Sequence, residues 1–291
     1  MSQLTPELEK KLGQAVERMP AFPKSVQKVL ELTRNINCLP KDLVAVIEKD
    51  PVMTMKVLKV INSAYYNLPN KITSVNQSVV YLGLNTVKNL ALAFAAVGIL
   101  PRISVAGFDI QRYLLHSLTT AAIARQLAQQ YARGQADPGD CYVAGLLHDF
   151  GKVVLAQFLG TEFRQAVALT YGIDGAPGIP LHVAEREVIG VDHGFIGAKL
   201  AERWQFPPEL VDVIRLHHDE EGSGPMMDCL RVANQISRMR ELGDAGNPWR
   251  GEPCAAPQRF GEDLDQVAGS LGDLQKIYDD AMAFAHVGSE K

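Results

Sequence analysis

The chain has 291 residues, of which 47% are hydrophobic and 21% are charged, and its formal net charge is -4. These values exclude a generally disordered chain, because the apolar fraction is ordinary and the charges nearly balance. The slightly acidic balance also excludes the global basic field by which proteins attract nucleic acid or anionic lipid.

The first part of the chain carries several helix start signals. The Thr5-Pro6 pair predicts a first helix that ends near Arg18, since a capping hydroxyl and a proline both favour the first turn. A second helix is predicted over residues 24–35, and the Asp50-Pro51 pair marks the start of another.

Two further start signals precede the longest apolar run of the chain, Leu90–Leu100. Ser74 and Gln77 fit a capping box, and Asn85 or Thr86 is expected to cap the helix that contains the run. Eleven residues are too few to cross a hydrocarbon layer of about 30 Å, so a buried helix is predicted and no membrane partner.

Residues 101–107 have a looser composition and mark the expected boundary between two helical subdomains. Beyond it, Asp109 is predicted to cap a long helix that Gly134 closes. The next helix is expected over residues 140–149, and the glycines and prolines of residues 172–180 predict a loop.

The last part of the chain is also predicted to be helical. Asp192 is expected to cap a helix to Trp204, and the Pro207-Pro208 pair to start another that ends at the His217-His218 pair. A helix over residues 226–242 and a linker rich in glycine and proline follow. One final amphipathic helix is predicted from the apolar stripe Leu264, Val267, Leu271, Leu274, Ile277 and Tyr278. Because no alternating strand pattern is convincing, the sequence predicts an all-α fold.

The cysteines and the N-terminal residues indicate in which cellular compartment the protein is expected. The four cysteines are Cys38, Cys141, Cys229 and Cys254. They lie far apart without CxxC spacing, so reduced thiols are expected instead of a disulfide framework or a zinc knuckle. The first residues lack the apolar stretch of a signal peptide. A cytoplasmic protein is expected.

The histidines point most clearly to chemistry. Six of the seven fall within residues 110–218, and five of these are candidate ligands: His116, His148, His193, His217 and His218. Imidazole is a common metal ligand, and carboxylates complete such sites. His148 and Asp149 are adjacent, so on a helix their side chains point about 100° apart. The two side chains are therefore expected to share one ion only if they lie at a helix end, or if Asp149 bridges two ions. Lys152, beyond that helix end, could then contact a phosphate as a point charge.

A structural role accounts more readily for any single one of these histidines. A core histidine donates to a carbonyl, and a histidine near a helix C-terminus is favoured by the helix dipole alone. Only convergence of the residues in the fold would favour a metal. His182 and His286 are expected to be ordinary surface residues.

Other chemistries lack their motifs. The chain has no GxxxxGK[ST] phosphate loop, no GxGxxG after a strand and no GxSxG nucleophile elbow. The group nearest to a basic patch, Arg231, Arg238 and Arg240, is too sparse for a nucleic-acid footprint and is expected to be a solvated helix face. No nucleic-acid partner is expected.

Several short motifs occur together at the spacing of one known family. They are Met19-Pro20-Ala21-Phe22-Pro23, Ile47-Glu48-Lys49-Asp50-Pro51, Asn62-Ser63-Ala64-Tyr65-Tyr66, Leu82-Gly83, Glu187, Gly190, Asp192-His193, Gly197, Leu200, Trp204, Pro207 and His217-His218. Over about residues 12–222 the chain resembles the HDOD domain proteins, the HD-related output domains of bacterial signalling. The resemblance implies an N-terminal helical bundle packed on an HD-like helical core. It also implies a role in signal transduction, commonly as the output module of a two-component response regulator.

The resemblance further implies a metal constellation. His116 and the His148-Asp149 pair fit the first ligands of the HD superfamily, and His193 and the His217-His218 pair resemble the additional ligands of the HD-GYP phosphodiesterases. Asn234 stands where a closing aspartate is expected, and its neutral amide is a poorer ligand. The GYP loop is missing. One or two divalent ions of iron, manganese, nickel or zinc are expected, with binding that weakens below about pH 6.

Three parts of the chain are expected. They are an N-terminal helical subdomain over residues 1–104, an HD-like core over residues 105–242, and a linker with a C-terminal helix over residues 243–291. The stripe of that last helix is too apolar to leave in water, so it is expected to dock on the core or on a second copy of the chain, as a homodimer.

Three functions are open at this point. The first is a non-catalytic signalling module that binds a partner protein or a small phosphorylated ligand. The alternative is a metal-dependent phosphohydrolase, in which Asp149 bridges the ions and Lys152 neutralises phosphate charge. The third is a structural relic without an ion. Asn234 and the missing GYP loop argue against efficient catalysis, and the retained His148-Asp149 motif argues against a relic.

Overall fold

A computed structural model describes residues 6–21, 23–34, 39–62, 70–100, 108–171, 178–244, 257–261 and 263–289. Within these ranges the chain forms α-helices and a short 3-10 turn, and it contains no β-strand. The predicted all-α fold is confirmed. None of the helices described is both long and apolar enough to cross a membrane.

The chain divides into two compact units. The larger unit joins residues 1–20 to residues 100–277, and the smaller joins residues 21–99 to residues 278–291. Every candidate site residue lies in the larger unit. The expected part boundaries near residues 104 and 242 stay predictions, and the loosely composed stretch 101–107 lies outside the described residues.

The smaller unit is built around an apolar helix. Its helices are α2 (Lys24–Arg34), α3 (Pro40–Glu48), α4 (Pro51–Ile61), α5 (Val75–Leu82), α6 (Leu84–Gly98) and the end of α16 (Leu274–Ser289). Helix α6 is buried from Leu90 to Val97, as the apolar run predicts. The Asn62 amide ties the end of α4 to Ile72, accepting from its N–H at 2.7 Å and donating to its carbonyl at 2.8 Å. The motif at residues 62–66 also predicts a helix end with both tyrosines packed internally, and Tyr65 and Tyr66 lie outside the described residues.

The larger unit is organised around one long helix. Its helices are α1 (Pro6–Arg18), α7 (Ile110–Tyr131), α8 (Pro138–Leu147), α9 (Phe150–Phe158), α10 (Gly160–Leu169), α11 (Leu181–Val188), α12 (His193–Arg203), α13 (Pro208–Leu216), α14 (Pro225–Met239), α15 (Leu264–Ser270) and the start of α16. Helix α7 is buried along most of its length and packs on α8 and α14, while α12 packs on α9 and α13.

Two predicted aspartate caps are confirmed. Asp109 accepts from the N–H groups of Gln111 and Arg112 at 2.9 and 3.1 Å. Asp192 accepts from the N–H of Phe195 at 2.8 Å. Each carboxylate satisfies N–H groups that the first turn of a helix leaves without partners.

Helix α6 does not begin where the sequence predicts. It starts at Leu84, directly after Gly83, whose φ of 81° ends α5 and begins α6 without a polar cap. The prediction that Asn85 or Thr86 caps this helix is therefore wrong. Similarly, α8 begins at Pro138 behind an Asp137 cap, earlier than expected.

The final amphipathic stripe belongs to two helices instead of one. Gly272 has a φ of 78°, and the chain leaves helical geometry between α15 and α16. Asp273 then starts α16 by accepting from the N–H of Lys276 at 3.2 Å. A glycine followed by a capping aspartate is a stop and a start signal, and it overrides the continuous apolar pattern.

Helices α9 and α12 approach each other very closely. A Cβ atom placed on Gly151 would lie 1.9 Å from the carbonyl oxygen of His193 and 2.8 Å from the backbone nitrogen of Gly197. Only glycine permits this distance at position 151. The close approach brings Asp149, just before α9, next to His193, the first residue of α12.

Candidate metal centre

Helix ends deliver most of the candidate residues to one buried place. His148 and Asp149 lie between α8 and α9, His193 begins α12, and the His217-His218 pair follows α13, whereas His116 projects from the middle of α7. His116, His148, Asp149, His193 and His217 are at most 5% exposed. His218 is half-buried.

The Asp149 carboxylate lies at the centre of these side chains. Its Oδ1 is 3.1 Å from His193 Nε2 and 3.7 Å from His217 Nε2. Its Oδ2 is 3.4 Å from His148 Nε2 and 3.6 Å from His116 Nε2. Each carboxylate oxygen therefore faces a different pair of imidazoles.

Two overlapping sets of potential ligands result. We call His116, His148 and Asp149 the three-residue group, and Asp149, His193, His217 and His218 the four-residue group. Within each group the ligand atoms all lie within 4.8 Å of one another. Asp149 belongs to both groups.

The outer nitrogens of the imidazoles are held by the protein. His148 Nδ1 is 2.8 Å from the Gly145 carbonyl, and His217 Nδ1 is 2.7 Å from the Ile214 carbonyl. A carbonyl only accepts, so both Nδ1 atoms carry the proton and donate it. In the neutral ring, Nε2 then presents a lone pair to the centre.

The other two Nδ1 atoms meet side chains. His193 Nδ1 lies 2.5 Å from Glu185 Oε2, which also accepts from the His193 backbone N–H at 2.9 Å. His116 Nδ1 lies 3.2 Å from Ser237 Oγ. Such contacts behind a metal-ligating imidazole fix the orientation of its ring and the position of its proton.

Several inward-facing atoms have no hydrogen-bond partner despite complete burial. They are Nε2 of His116, His148 and His217, and Oδ1 of Asp149. The remaining imidazole that faces Oδ1, His193, is instead aligned with His218, Nε2 to Nε2 at 2.9 Å. Buried polar atoms without partners are costly, and a cation bound among these lone pairs would satisfy them. The donor set therefore fits a divalent transition metal ion.

Burial and neighbouring charge shift the pKa values of the cluster in different directions. Burial lowers the pKa of His217 to about 4 and lowers the pKa of His116 and His218 well below the ordinary value. Burial also acts on His193, but the adjacent Glu185 carboxylate outweighs it and raises that pKa to about 9.

The central carboxylate stays ionised. Burial raises the pKa of Asp149, but the neighbouring His148 and Lys152 outweigh burial and hold that pKa well below its usual range. Lys152 Nζ donates to Asp149 Oδ2 at 2.7 Å, and both side chains are fully buried. The lysine is thus paired with the carboxylate instead of facing solvent.

Asn234 lies on α14, the helix that also carries Ser237. It is 8% exposed, and its Oδ1 is buried without a hydrogen-bond partner. Three residues later on the same helix, Ser237 contacts His116, so the two side chains share one face of α14.

Sequence reasoning missed three side chains at the centre: Glu185, Ser237 and His182. The expectation that His182 is an ordinary surface residue is wrong, because its ring stacks on His218 with centroids 4.2 Å apart and planes within 9°. Burial lowers the pKa of His182 to about 3. The one local signal for Glu185 is its place on the apolar face of α11, with the buried Leu181 and Ala184.

Arg231 also differs from the expectation of a solvated helix face. Its guanidinium donates to the carbonyls of Leu216 at 2.9 Å and Gly222 at 2.7 Å, and to those of His217 and Asp219. It therefore fixes the turn that carries the His217-His218 pair.

Comparison with known proteins gives one family. The HDOD domain profile matches residues 19–220, more than half of the chain. The crystal structure of an HDOD domain protein of unknown function from Geobacter sulfurreducens is similar, with a TM-score of 0.75 and 24% identity, covering 96% of this chain and 99% of that one. A proposed signal transduction protein from Marinobacter aquaeolei VT8 has a TM-score of 0.76 and 28% identity, covering 97% of this chain and 66% of that one.

A longer relative is also similar. An uncharacterized protein of Treponema pallidum (strain Nichols) is 29% identical over 241 residues, which is 80% of this chain. The chain spans only 45% of the length of that relative.

Proposed function

Because the chain belongs to the HDOD domain family, we propose that it is a signal-transduction module whose histidine–aspartate centre binds a divalent transition metal ion. The module acts without catalysis, by binding a partner protein or a small phosphorylated ligand.

The observation that carries this proposal is the convergence of unpartnered lone pairs on Asp149. Nε2 of His116, His148 and His217 and Oδ1 of Asp149 are buried, without hydrogen bonds, and within a few ångströms of one another. A structural relic would be expected to pair these atoms with each other or with carbonyls, as the Nδ1 atoms are paired. Neutral imidazoles favour iron, manganese, nickel or zinc over magnesium.

Three observations favour a non-catalytic role. The Lys152 ammonium, which would neutralise the charge of a phosphoryl substrate, is fully buried against Asp149. Asn234 offers only a neutral amide at the position where the family resemblance predicts a closing aspartate. When bound, a divalent ion supplies Lewis-acid polarisation and lowers the pKa of coordinated water. Among the described residues of the two ligand groups, only His218 is half-buried, so access to the centre is restricted.

The second candidate function is a metal-dependent phosphohydrolase. It is favoured by the position of Lys152, which lies beside the same carboxylate that would hold the ion. If the ammonium left Asp149 for a phosphate oxygen, it would act as a point charge on the substrate.

One set of measurements tests both functions. Protein produced with supplements of iron, manganese, nickel or zinc is analysed for bound metal, and the loaded protein is assayed with bis(4-nitrophenyl) phosphate and with cyclic dinucleotides. We expect bound metal and no hydrolysis above the metal-free control. Protein without metal after every supplement would refute the metal centre. Hydrolysis that is lost in Lys152→Met would establish the phosphohydrolase instead.

A further inference from the structure

We propose that the Lys152 ammonium takes the place of a cation at the three-residue group, so that the centre binds one metal ion, at the four-residue group. This inference rests on the proposed metal centre, and it identifies which of the two ligand groups holds the ion.

The first argument is that the two carboxylate oxygens of Asp149 have different hydrogen-bond partners. Oδ2, which faces His116 and His148, already accepts a hydrogen bond from Lys152 Nζ at 2.7 Å. Oδ1, which faces His193 and His217, has no hydrogen-bond partner. A lysine cation is therefore fixed on one side of the carboxylate, whereas the other side faces only imidazoles, whose protons an incoming ion displaces.

The second argument is that Lys152 is fixed in this position. It lies three residues after Asp149 in the first turn of α9, where side chains at this spacing face each other. Its side chain is fully buried. An ammonium that left Asp149 would have to lose an ion pair inside the protein, which is strongly unfavourable.

The third argument is the charge of the surroundings. The charged groups that act on the centre are the carboxylates of Asp149 and Glu185 and the cations of Lys152 and Arg238. Apart from the proton of His193, which an incoming ion displaces, these four charges cancel before any ion is bound. One divalent ion adds two positive charges to a buried region and a second ion would add two more, close to Lys152, where like charges repel strongly.

The fourth argument is the number of ligands. The four-residue group offers three imidazoles and a free carboxylate oxygen, the count of a tetrahedral site. The three-residue group offers two imidazoles and an oxygen that Lys152 already engages. The amide of Asn234 brings no charge to offset this difference.

The test is the number of ions bound per chain. Metal-free protein is titrated with Zn²⁺ and, after gel filtration, its metal content is measured by elemental analysis. We expect one ion in the wild type. Lys152→Met removes the charge at nearly the same length and frees Asp149 Oδ2, so we expect two ions. Lys152→Arg keeps the charge and should bind one. Two ions in the wild type, or only one in Lys152→Met, would overturn the inference.

Two matched histidine variants test the inference independently, even if Lys152→Met does not fold. His148 and His217 are both buried, both donate Nδ1–H to a carbonyl three residues earlier, and both have an unpartnered Nε2. The dissociation constant of Zn²⁺ should rise about tenfold or more in His217→Ala and less than about threefold in His148→Ala. Equal losses would contradict the inference. Wild-type protein that binds no Zn²⁺ would instead refute the metal centre itself, and the inference with it.

Discussion

Glu185 holds His193 with a single carboxylate oxygen, which accepts both the backbone N–H at 2.9 Å and Nδ1 at 2.5 Å. The contact joins α11 to the first residue of α12. It fixes the imidazole so that Nε2 faces Asp149, and it adds negative charge behind a candidate ligand. Glu185 is therefore a positioning residue of the proposed centre.

Removing Glu185 should weaken metal binding through His193. The dissociation constant of Zn²⁺ should rise about 10- to 100-fold in Glu185→Ala and less in Glu185→Gln, which keeps an acceptor oxygen. Competition with a chromogenic chelator measures both values. In a His193→Ala background the Glu185 substitutions should have no further effect. An undiminished loss in that background would show that Glu185 does not act through His193.

Gly151→Ala should destabilise the protein strongly. The added Cβ would overlap the His193 carbonyl, so α9 and α12 would have to separate, at a cost of about 3 kcal/mol or more. Gly13 in α1 is the matched control, because a Cβ there has no atom within 4 Å. Gly13→Ala should stabilise the protein by about 0.5–1 kcal/mol. Urea denaturation measures both changes, and a Gly151→Ala protein as stable as wild type would contradict the close helix approach.

Asn234→Asp should tighten metal binding. The substitution keeps the shape of the side chain and adds a negative charge beside the face of α14 that contacts His116. The dissociation constant of a divalent ion should fall about tenfold, as ligand charge generally lowers it. Asn234→Ala controls for loss of the amide. Identical affinities for the wild type and Asn234→Asp would place residue 234 outside the centre.

The stability of the metal-free protein should decrease as the pH rises from about 6.5 to about 9. The pKa of His193 is raised from its ordinary value to about 9 in the folded protein. Its protonated form therefore stabilises the fold fully below the unfolded pKa of about 6.5, and this contribution is lost as the pH passes about 9. Denaturation in the presence of a chelator should show a loss of roughly 1–3 kcal/mol. His193→Gln should remove this dependence, and an unchanged dependence would assign it to another group.

The same pKa bears on metal affinity. An ion must displace the proton of His193, so affinity should increase with pH up to about 9 instead of levelling off near pH 6, as the ordinary pKa of histidine predicts.

The sequence predicts the parts of the fold that depend on local contacts. Asp109 and Asp192 cap helices through N–H groups two or three residues away, and such signals are visible in any short stretch. Where two signals compete, the pattern alone misleads. Gly272 divides a stripe that looks continuous, because a positive φ at one residue outweighs apolar periodicity.

The candidate site is predictable only in part, because contacts between distant helices leave no local signal in the sequence. Family resemblance indicated the residues from His116 to Asn234, since the motif preserves their spacing. Ser237 and His182 contact the cluster only because α7, α14 and α11 pack around it, and no spacing in the sequence encodes those contacts.

Helix α14 contacts the candidate centre at two places. Arg231 donates hydrogen bonds to the turn that carries His218. Nearly two turns later, Ser237 contacts His116 and donates to the carbonyl of Leu242 at 3.3 Å. These contacts tie α14 both to the turn of the His217-His218 pair and to His116. Because one helix carries both contacts, a rearrangement around Asp149 on loading or release of an ion would also reach Leu242, three residues beyond the end of α14 at Met239.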